Sequence, residues 1–334
     1  MANITSQLSH RDPLVSLIIP TRNRPETVLR TLVSIRDASD VNTNQSCEII
    51  ILDNDSHDPE GHLNRATQVS PNVSLIRNGA NLGLHGSLLK AFELARGEFV
   101  FLSSDEDVPD LVALERLLKS ECSLALSSFV VNVCRNGERY GRYLSSRELA
   151  PKDFHRGVHY MSGVGIRTSS VVPFLSYLYQ IEDNEFLRIY PHIALLLVSS
   201  SQGGRCRFWS DMVVRSGEQS NTSEIRGQFD YKGPQARVSH AVGLSDLLAH
   251  LSQEILVNPS VRKDWDEFER LYWRNMPNLL AHDGGMLSSK ALQGLTEALS
   301  IRRAMLRLVG RNVVRIRSAK PCRALLLTLG KSLR

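Results

Sequence analysis

The sequence predicts an α/β fold: a mostly parallel sheet flanked by helices, with a helical region toward the C-terminal end. Two observations carry this. Before residue 103, four strand-like apolar runs alternate with helix-like runs, the rhythm of strand–helix–strand units joined by right-handed crossovers. From about Ser239 onward, apolar residues recur only at helical spacing.

Residues 14–19 (L-V-S-L-I-I) are rich in branched apolar side chains and read as the first strand. Pro20 ends it and T-R-N-R-P follows. Asn23 is the expected helix N-cap, and Pro25 falls in the first turn, where a missing N–H costs little. Val28, Leu29, Leu32, Val33 and Ile35 then mark a helix. Residues 39–46 are polar and read as a loop. The second strand, residues 48–52 (E-I-I-I-L), runs into D-N-D-S-H-D. Asp58 reads equally well as a cap, whereas Asp53, directly after the strand, is the better ligand candidate. A short helix over 60–68 leads to a third strand over 73–76 and then to R-N-G-A-N-L-G. Its glycines and asparagines permit left-handed backbone and close approach of another group, or simply make a turn. Leu88, Ala91, Phe92 and Ala95 give a helix over 85–96, with Gly97 as its C-terminal stop.

The stretch from 97 to 109, G-E-F-V-F-L-S-S-D-E-D-V-P, is the focus of the chain. Its apolar run suits a strand buried on both faces. Unpaired carboxylates are too costly to bury inside a sheet, so Asp105, Glu106 and Asp107 belong just past its carboxyl end, where open α/β sheets place ligands. Clustered oxygens there suit a hard cation such as Mg²⁺ or Mn²⁺. The plainer alternative is a solvated acidic turn, with Asp107 or Asp110 capping the next helix, over 111–119. Strand character resumes over 124–133 and again over 208–215, and a polar loop follows at 216–224.

Composition bounds the rest. With 42% hydrophobic and 22% charged residues in 334, the chain is a soluble globular protein large enough for a substantial core. It has no apolar run near the ~20 residues needed to span a bilayer. Its first residues lack the regions of a signal peptide, so a cytoplasmic location is expected. The five cysteines show no paired short spacing and read as reduced, mostly buried thiols. The net charge of +5 is uneven: residues 301–334 hold ten Lys and Arg and no acid, leaving 30 basic and 35 acidic residues elsewhere.

Taken in order, V-S-L-I-I-P-T-R-N-R, I-I-I-L-D-N-D-S-H-D, R-N-G-A-N-L-G and A-R-G-E-F-V-F-L-S-S-D-E-D-V-P resemble the family 2 glycosyltransferases, whose fold is the Rossmann-like GT-A fold. The resemblance is clear over about residues 15–110 and weaker to about 220. It implies a GT-A domain over residues 1–232 and a helical C-terminal region over 233–334. It also implies a nucleotide-sugar donor, with Mg²⁺ or Mn²⁺ on its diphosphate. By position, Pro20, Thr21 and Arg22 line the nucleotide pocket, and Asp53 hydrogen-bonds the base. Arg77, Asn81, Leu82 and Gly83 lie beside the nucleoside. Ser104 and Asp105 face the diphosphate, and Asp105 is the second acid of the family's D-x-D motif. Ser103 stands where that motif has its first acid; an alternative register makes Asp105-Glu106-Asp107 the motif, with Asp105 and Asp107 as metal ligands. The S-D-E/D form is similar to the abequosyltransferase-like branch of bacterial O-antigen enzymes.

The resemblance implies an inverting transfer to a saccharide or lipid-linked acceptor in surface polysaccharide synthesis. Such a transfer needs one general base for the acceptor hydroxyl. Asp183, in Q-I-E-D-N-E-F, looks like the family's E-D motif. His192, in Y-P-H, stands at a comparable distance before Gly203 and Gly204. Plainer readings are a solvated helix face for Asp183 and a hydrogen-bonded helix-start residue for His192. Gly163 and Gly165 look like the strand framing the acceptor side, or a bulge. A catalytically inactive glycan- or partner-binding module is the different-class alternative, kept open by Ser103. The basic amphipathic tail (301–334) suits an anionic membrane surface, which would place the protein peripherally on the cytoplasmic face of the inner membrane. It suits packing on its own domain equally well. It lacks aromatics to stack on bases, so no nucleic-acid partner is expected.

Overall fold

Three uninterrupted apolar runs form the centre of the sheet. The computed structural model describes residues 12–38, 46–120, 126–135, 138–139, 143–154, 158, 160–217, 234–255 and 257–282. The central strands are β1 (Val15–Thr21), β2 (Cys47–Asp53) and β4 (Phe99–Leu102), with β2 and β4 buried at every position. β3 (Val73–Arg77) alternates more and takes the edge. Strands β3, β2, β1 and β4 are mutually parallel. The chain moves outward from β1 through β2 to β3, then returns to the other side of β1 as β4. Strand order therefore reverses at β1, and the crevice for a ligand opens at the carboxyl ends of β2, β1 and β4.

Beyond β4 the sheet is mixed. β9 (Val164–Arg167) runs antiparallel between β4 and β6 (Leu126–Arg135), and β10 (Arg205–Ser216) runs parallel to β6. The short β5 (Asp107–Pro109) pairs antiparallel with the end of β10. Small strands β7 (Glu138–Arg139) and β8 (Arg147–Leu149) add to β6 and β10. β4 and β5 are adjacent in the chain, yet β9, β6 and β10 lie between them in the sheet order. The linker from 103 to 106 reaches at most about 17 Å, and flat strands at this separation would lie roughly 19 Å apart. The sheet therefore curls, bringing the end of β10 to the end of β4.

Helices cover both faces. α1 (Pro25–Ala38), α2 (His62–Thr67) and α4 (Leu111–Ser120) place Val28, Leu32, Leu63, Leu114 and Leu118 in one core. The other core holds α3 (Gly83–Leu94), α5 (Leu175–Gln180), α6 (Glu185–Ile189) and α7 (Pro191–Ser200). α7 is buried at all ten positions, as a helix apolar on every side must be. The C-terminal helices α8 (Pro234–Glu254) and α9 (Pro259–His282) join this same core through Leu244, Leu247, Leu251, Trp265 and Phe268. The separate helical signals near 265–272 and 279–282 are thus one helix, which runs through Pro277 at the loss of one backbone hydrogen bond. The signals at 292–299 and the basic tail lie outside the described residues, as does most of the polar loop at 216–224. Among the described residues Cys47, Cys134 and Cys206 are free thiols, and no helix is long and apolar enough to cross a membrane.

Two local expectations are corrected. α1 begins at Pro25, and Asn23 instead adopts a left-handed conformation (φ 54°). It bridges to the loop after β2, donating its N–H to Ser56 Oγ at 2.7 Å and accepting from His57 N at 3.1 Å. Gly97 does not stop α3, which ends at Leu94 with extended backbone at Ala95. Gly97 is needed because a Cβ there would lie 2.4 Å from the backbone N of Ser16.

Candidate active site at the strand ends

The sheet register builds the first part of the site. Thr21 stands opposite Asp53, and Asp53 opposite Arg77, at the ends of β1, β2 and β3. Asp53 is 1% exposed. It accepts from Arg77 Nη1 at 3.2 Å and from Ser56 N at 3.1 Å. Pro20 and Arg22, flanking Thr21, are half-buried. Asp58 serves the plainer role, capping α2 by accepting from His62 N and Leu63 N, each at 2.9 Å.

Behind Asp53 lies an amide network that the sequence reading did not find. Asn54 Oδ1 accepts from Leu82 N at 2.8 Å and Asn78 Nδ2 at 3.2 Å, while Asn54 Nδ2 donates to Asn81 Oδ1 at 2.6 Å. Asn81 Oδ1 also accepts from Gly83 N at 3.0 Å. The loop Asn81-Leu82-Gly83 is thereby tied to the end of β2. Gly83 supplies its left-handed residue, with φ +69°. Asn54 and Asn78 were legible only as turn-formers, because their partners come from other strands.

The loop after β4 supplies the second part. Asp105 is 5% exposed. Its Oδ2 accepts from Thr21 Oγ1 at 2.8 Å, and its carbonyl accepts from Thr31 Oγ1 at 2.7 Å. Arg24 Nη2 reaches both Asp105 Oδ1 and Glu106 Oε2 at 2.7 Å. Burial nevertheless pushes the Asp105 carboxyl up to about 6, outweighing the Arg24 charge and the Thr21 hydrogen bond. Ser104 Oγ lies 3.4 Å from Asp105 Oδ1. Ser103 is fully buried, with its hydroxyl 3.3 Å from the Asp107 carbonyl inside the turn.

Asp107 is placed differently. It is fully buried, and burial raises its carboxyl above the usual range. Its Oδ2 accepts from Ser162 Oγ at 2.5 Å, and that same Oγ accepts from Ser104 N at 2.7 Å. Asp107 thus braces the loop through Oδ2, while its Oδ1 is buried with no hydrogen-bond partner. Asp110, not Asp107, caps α4, accepting from Ala113 N at 2.9 Å. Among the described residues no three His, Cys, Asp or Glu side chains form a self-sufficient metal cage. Asp105 still fits a hard divalent cation, which is commonly held by one or two carboxylates together with phosphate oxygens and water. Its carboxyl is fixed by Thr21 and Arg24 in the loop after β4, where burial outweighs the compensation they give.

The two base candidates sit in unlike settings. Asp183 is exposed, just before Asn184, whose side chain caps α6 by accepting from Phe186 N and Leu187 N. It lines a cavity of about 190 Å³ with Glu185, Val238, Val242 and Asp246. It also acts on His85 in the first turn of α3. Burial and then Arg188 lower the His85 pKa, while Glu182 and Asp183 oppose them. Asp183 therefore lies near the helix that follows the Asn81–Gly83 loop. His192 is 5% exposed in the first turn of α7, with its ring edge-on to Tyr190 at 6.5 Å.

Residues 16–177 match the family model described as Glycosyl transferase family 2. Over 108 residues the chain is 35% identical to the undecaprenyl-phosphate 4-deoxy-4-formamido-L-arabinose transferase of Aeromonas hydrophila, covering 30% of this chain and 32% of that protein. It is 31% identical over 108 residues to the uncharacterized glycosyltransferase MJ1057 of Methanocaldococcus jannaschii, covering 32% of this chain and 37% of that one. The aligned part spans only about a third of the length of these curated relatives. Among solved structures, Staphylococcus aureus TarS 1–349 in complex with UDP-GlcNAc superposes with TM-score 0.60 at 13% identity, covering 85% of this chain and 80% of that one. The mannosyltransferase PcManGT of Pyrobaculum calidifontis, in complex with GDP-Man and Mn²⁺, gives 0.53 at 16% identity, covering 94% and 83%. At such identities the likeness is one of fold.

Proposed function

We propose, from the premise that this chain belongs to glycosyl transferase family 2 through residues 16–177, that it moves a sugar from a nucleotide-sugar donor to a saccharide or lipid-linked acceptor with inversion. One observation carries the reading: Thr21, at the strand-order reversal, stands opposite Asp53 in the register and hydrogen-bonds Asp105 at 2.8 Å. Base-side and phosphate-side groups thereby share one crevice.

In this reading Asp53 accepts from the nucleobase, and Pro20, Thr21, Arg22 and Arg77 line the nucleoside site. The loop Asn81-Leu82-Gly83 closes its side. Ser104 and Asp105 face the diphosphate, with Asp105 as the protein ligand of Mg²⁺ or Mn²⁺. That metal, when bound, stabilises charge on the departing diphosphate. Asp183 takes the proton of the acceptor hydroxyl as that oxygen attacks the anomeric carbon. Its exposure favours it over His192, which has to be uncovered before an acceptor can reach it. The similarity to a transferase whose name specifies undecaprenyl phosphate supports a lipid-linked acceptor and a place in bacterial surface polysaccharide assembly, such as O-antigen. The basic segment 301–334 is then the contact with an anionic membrane face, and cosedimentation with anionic vesicles, lost on its deletion, tests this.

Calorimetric titration with UDP, GDP and CDP, each with and without Mn²⁺, tests the donor site. Metal-dependent binding of at least one is expected. If none binds, the reading fails and the inactive-module alternative takes its place.

A further inference from the structure

We propose that Arg24 is an internal counter-cation that shuts the diphosphate site to free metal and is transferred to the donor's phosphates when the nucleotide sugar binds. The proposal rests on the glycosyltransferase reading above.

Three features point to it. A single nitrogen, Arg24 Nη2, holds both Asp105 Oδ1 and Glu106 Oε2 at 2.7 Å. The arginine on Oδ1 is charged at every accessible pH. A divalent cation ligated by the same carboxylate would meet that like charge at close range, which favours moving one of the two away. The carboxylate itself is anchored, by Thr21 on Oδ2 and by Thr31 on the carbonyl of the same residue. Arg24 is the member able to move: its side chain is 20% exposed, against 6% for Asp105 and 12% for Glu106.

The arginine is also poorly satisfied where it stands. Its Nε is buried with no hydrogen-bond partner, a condition that calls for an explanation in a folded protein. A guanidinium offers five donors in a planar fork suited to phosphate oxygens. Against two carboxylates reached through one nitrogen, most of that fork is unused. A diphosphate arriving with its metal exchanges cations at Asp105 and offers the displaced fork a better-matched acceptor. The exchange keeps Asp105, buried and anionic, next to positive charge throughout.

The test uses the full chain and Mn²⁺ alone, with free Mn²⁺ followed by electron paramagnetic resonance. Arg24→Gln is expected to bind Mn²⁺ at least about tenfold more tightly than wild type, because the buried carboxylates lose their resident cation. The gain is expected to vanish when Asp105→Asn is added. Metal-free inorganic pyrophosphate, followed by calorimetry, is expected to bind Arg24→Gln more weakly than wild type, the opposite direction. Unchanged or weaker Mn²⁺ binding by Arg24→Gln overturns the proposal, as does a gain that survives Asp105→Asn. Should Arg24→Gln unfold in metal-free buffer, Mn²⁺ must restore its thermal transition, and failure to do so also overturns it. A failure of the glycosyltransferase reading shows separately, as wild-type protein that binds none of the nucleotides.

Discussion

Asp105 is held where its charge is useful and costly at once. Its folded pKa of about 6 lies above the ordinary 3.8, so the fold favours the protonated form. The cost is absent below pH 3.8, grows as pH rises, and is complete above pH 6, at an upper bound of about 3 kcal/mol. Asp105→Asn should therefore raise the melting temperature at pH 8, leave it nearly unchanged at pH 3.5, and abolish metal-dependent nucleotide binding. A lower melting temperature at pH 8 would contradict the burial argument. For the base, Asp183→Asn should lower kcat by roughly 10²–10⁴-fold with UDP, GDP or CDP affinity unchanged. If His192→Phe has that effect and Asp183→Asn does not, the roles are reversed. Both candidates were legible as residues, but their exposure was not. Whether a side chain reaches solvent depends on what packs over it, and α7 is covered on all sides.

At the scale of elements, the glycines show how partners decide what a local pattern leaves open. Gly165 in β9 was readable as a bulge or as a framing strand. It is a platform for an aromatic ring: a Cβ there would fall 2.0 Å from Phe129 Cζ. That ring cannot move aside, since it packs on Phe99 (5.5 Å), Phe101 (5.9 Å) and Trp209 (4.8 Å) between centroids. Gly165→Ala should destabilise the protein by about 1–3 kcal/mol, seen as a lower urea midpoint at unchanged slope. A change under about 0.5 kcal/mol would mean that Phe129 has room to shift. Gly217 makes the analogous contact at the site, where a Cβ would lie 1.9 Å from the Glu106 carbonyl oxygen. The end of β10 is thereby pressed against the loop that carries Asp105.

At the scale of the molecule, two cores back the two faces of one sheet. Trp209 belongs to one, and Trp265, on α9, belongs to the other. The C-terminal helices read from the sequence as a separate region, yet their apolar faces complete the core beneath α7. Urea unfolding should therefore be a single transition. Variants retaining only Trp209 or only Trp265, the other tryptophans replaced by Phe, should give coincident fluorescence midpoints. Two resolved transitions would mean that α8 and α9 form an independent unit. Trp265→Ala should cost about 3–5 kcal/mol and lower both midpoints together.

The sequence by itself determined the strand–helix rhythm, the order of the polar loops and the placing of acids at strand ends. Those signals are local: strand and helix periods repeat within ten or so residues, and a buried strand cannot retain unpaired charge. Tertiary structure decided the insertion of β9 beside β4, the pairing of β5 with β10 and the sharing of one core by the C-terminal helices. It also decided the partners of each acid after β4. Asp105 and Asp107 are two residues apart and chemically identical. One meets Thr21, 84 residues away, and Arg24; the other meets Ser162, 55 residues away. Those partners come together because β1 and β9 flank β4 in the sheet and place Thr21 and Ser162 beside the loop that follows it.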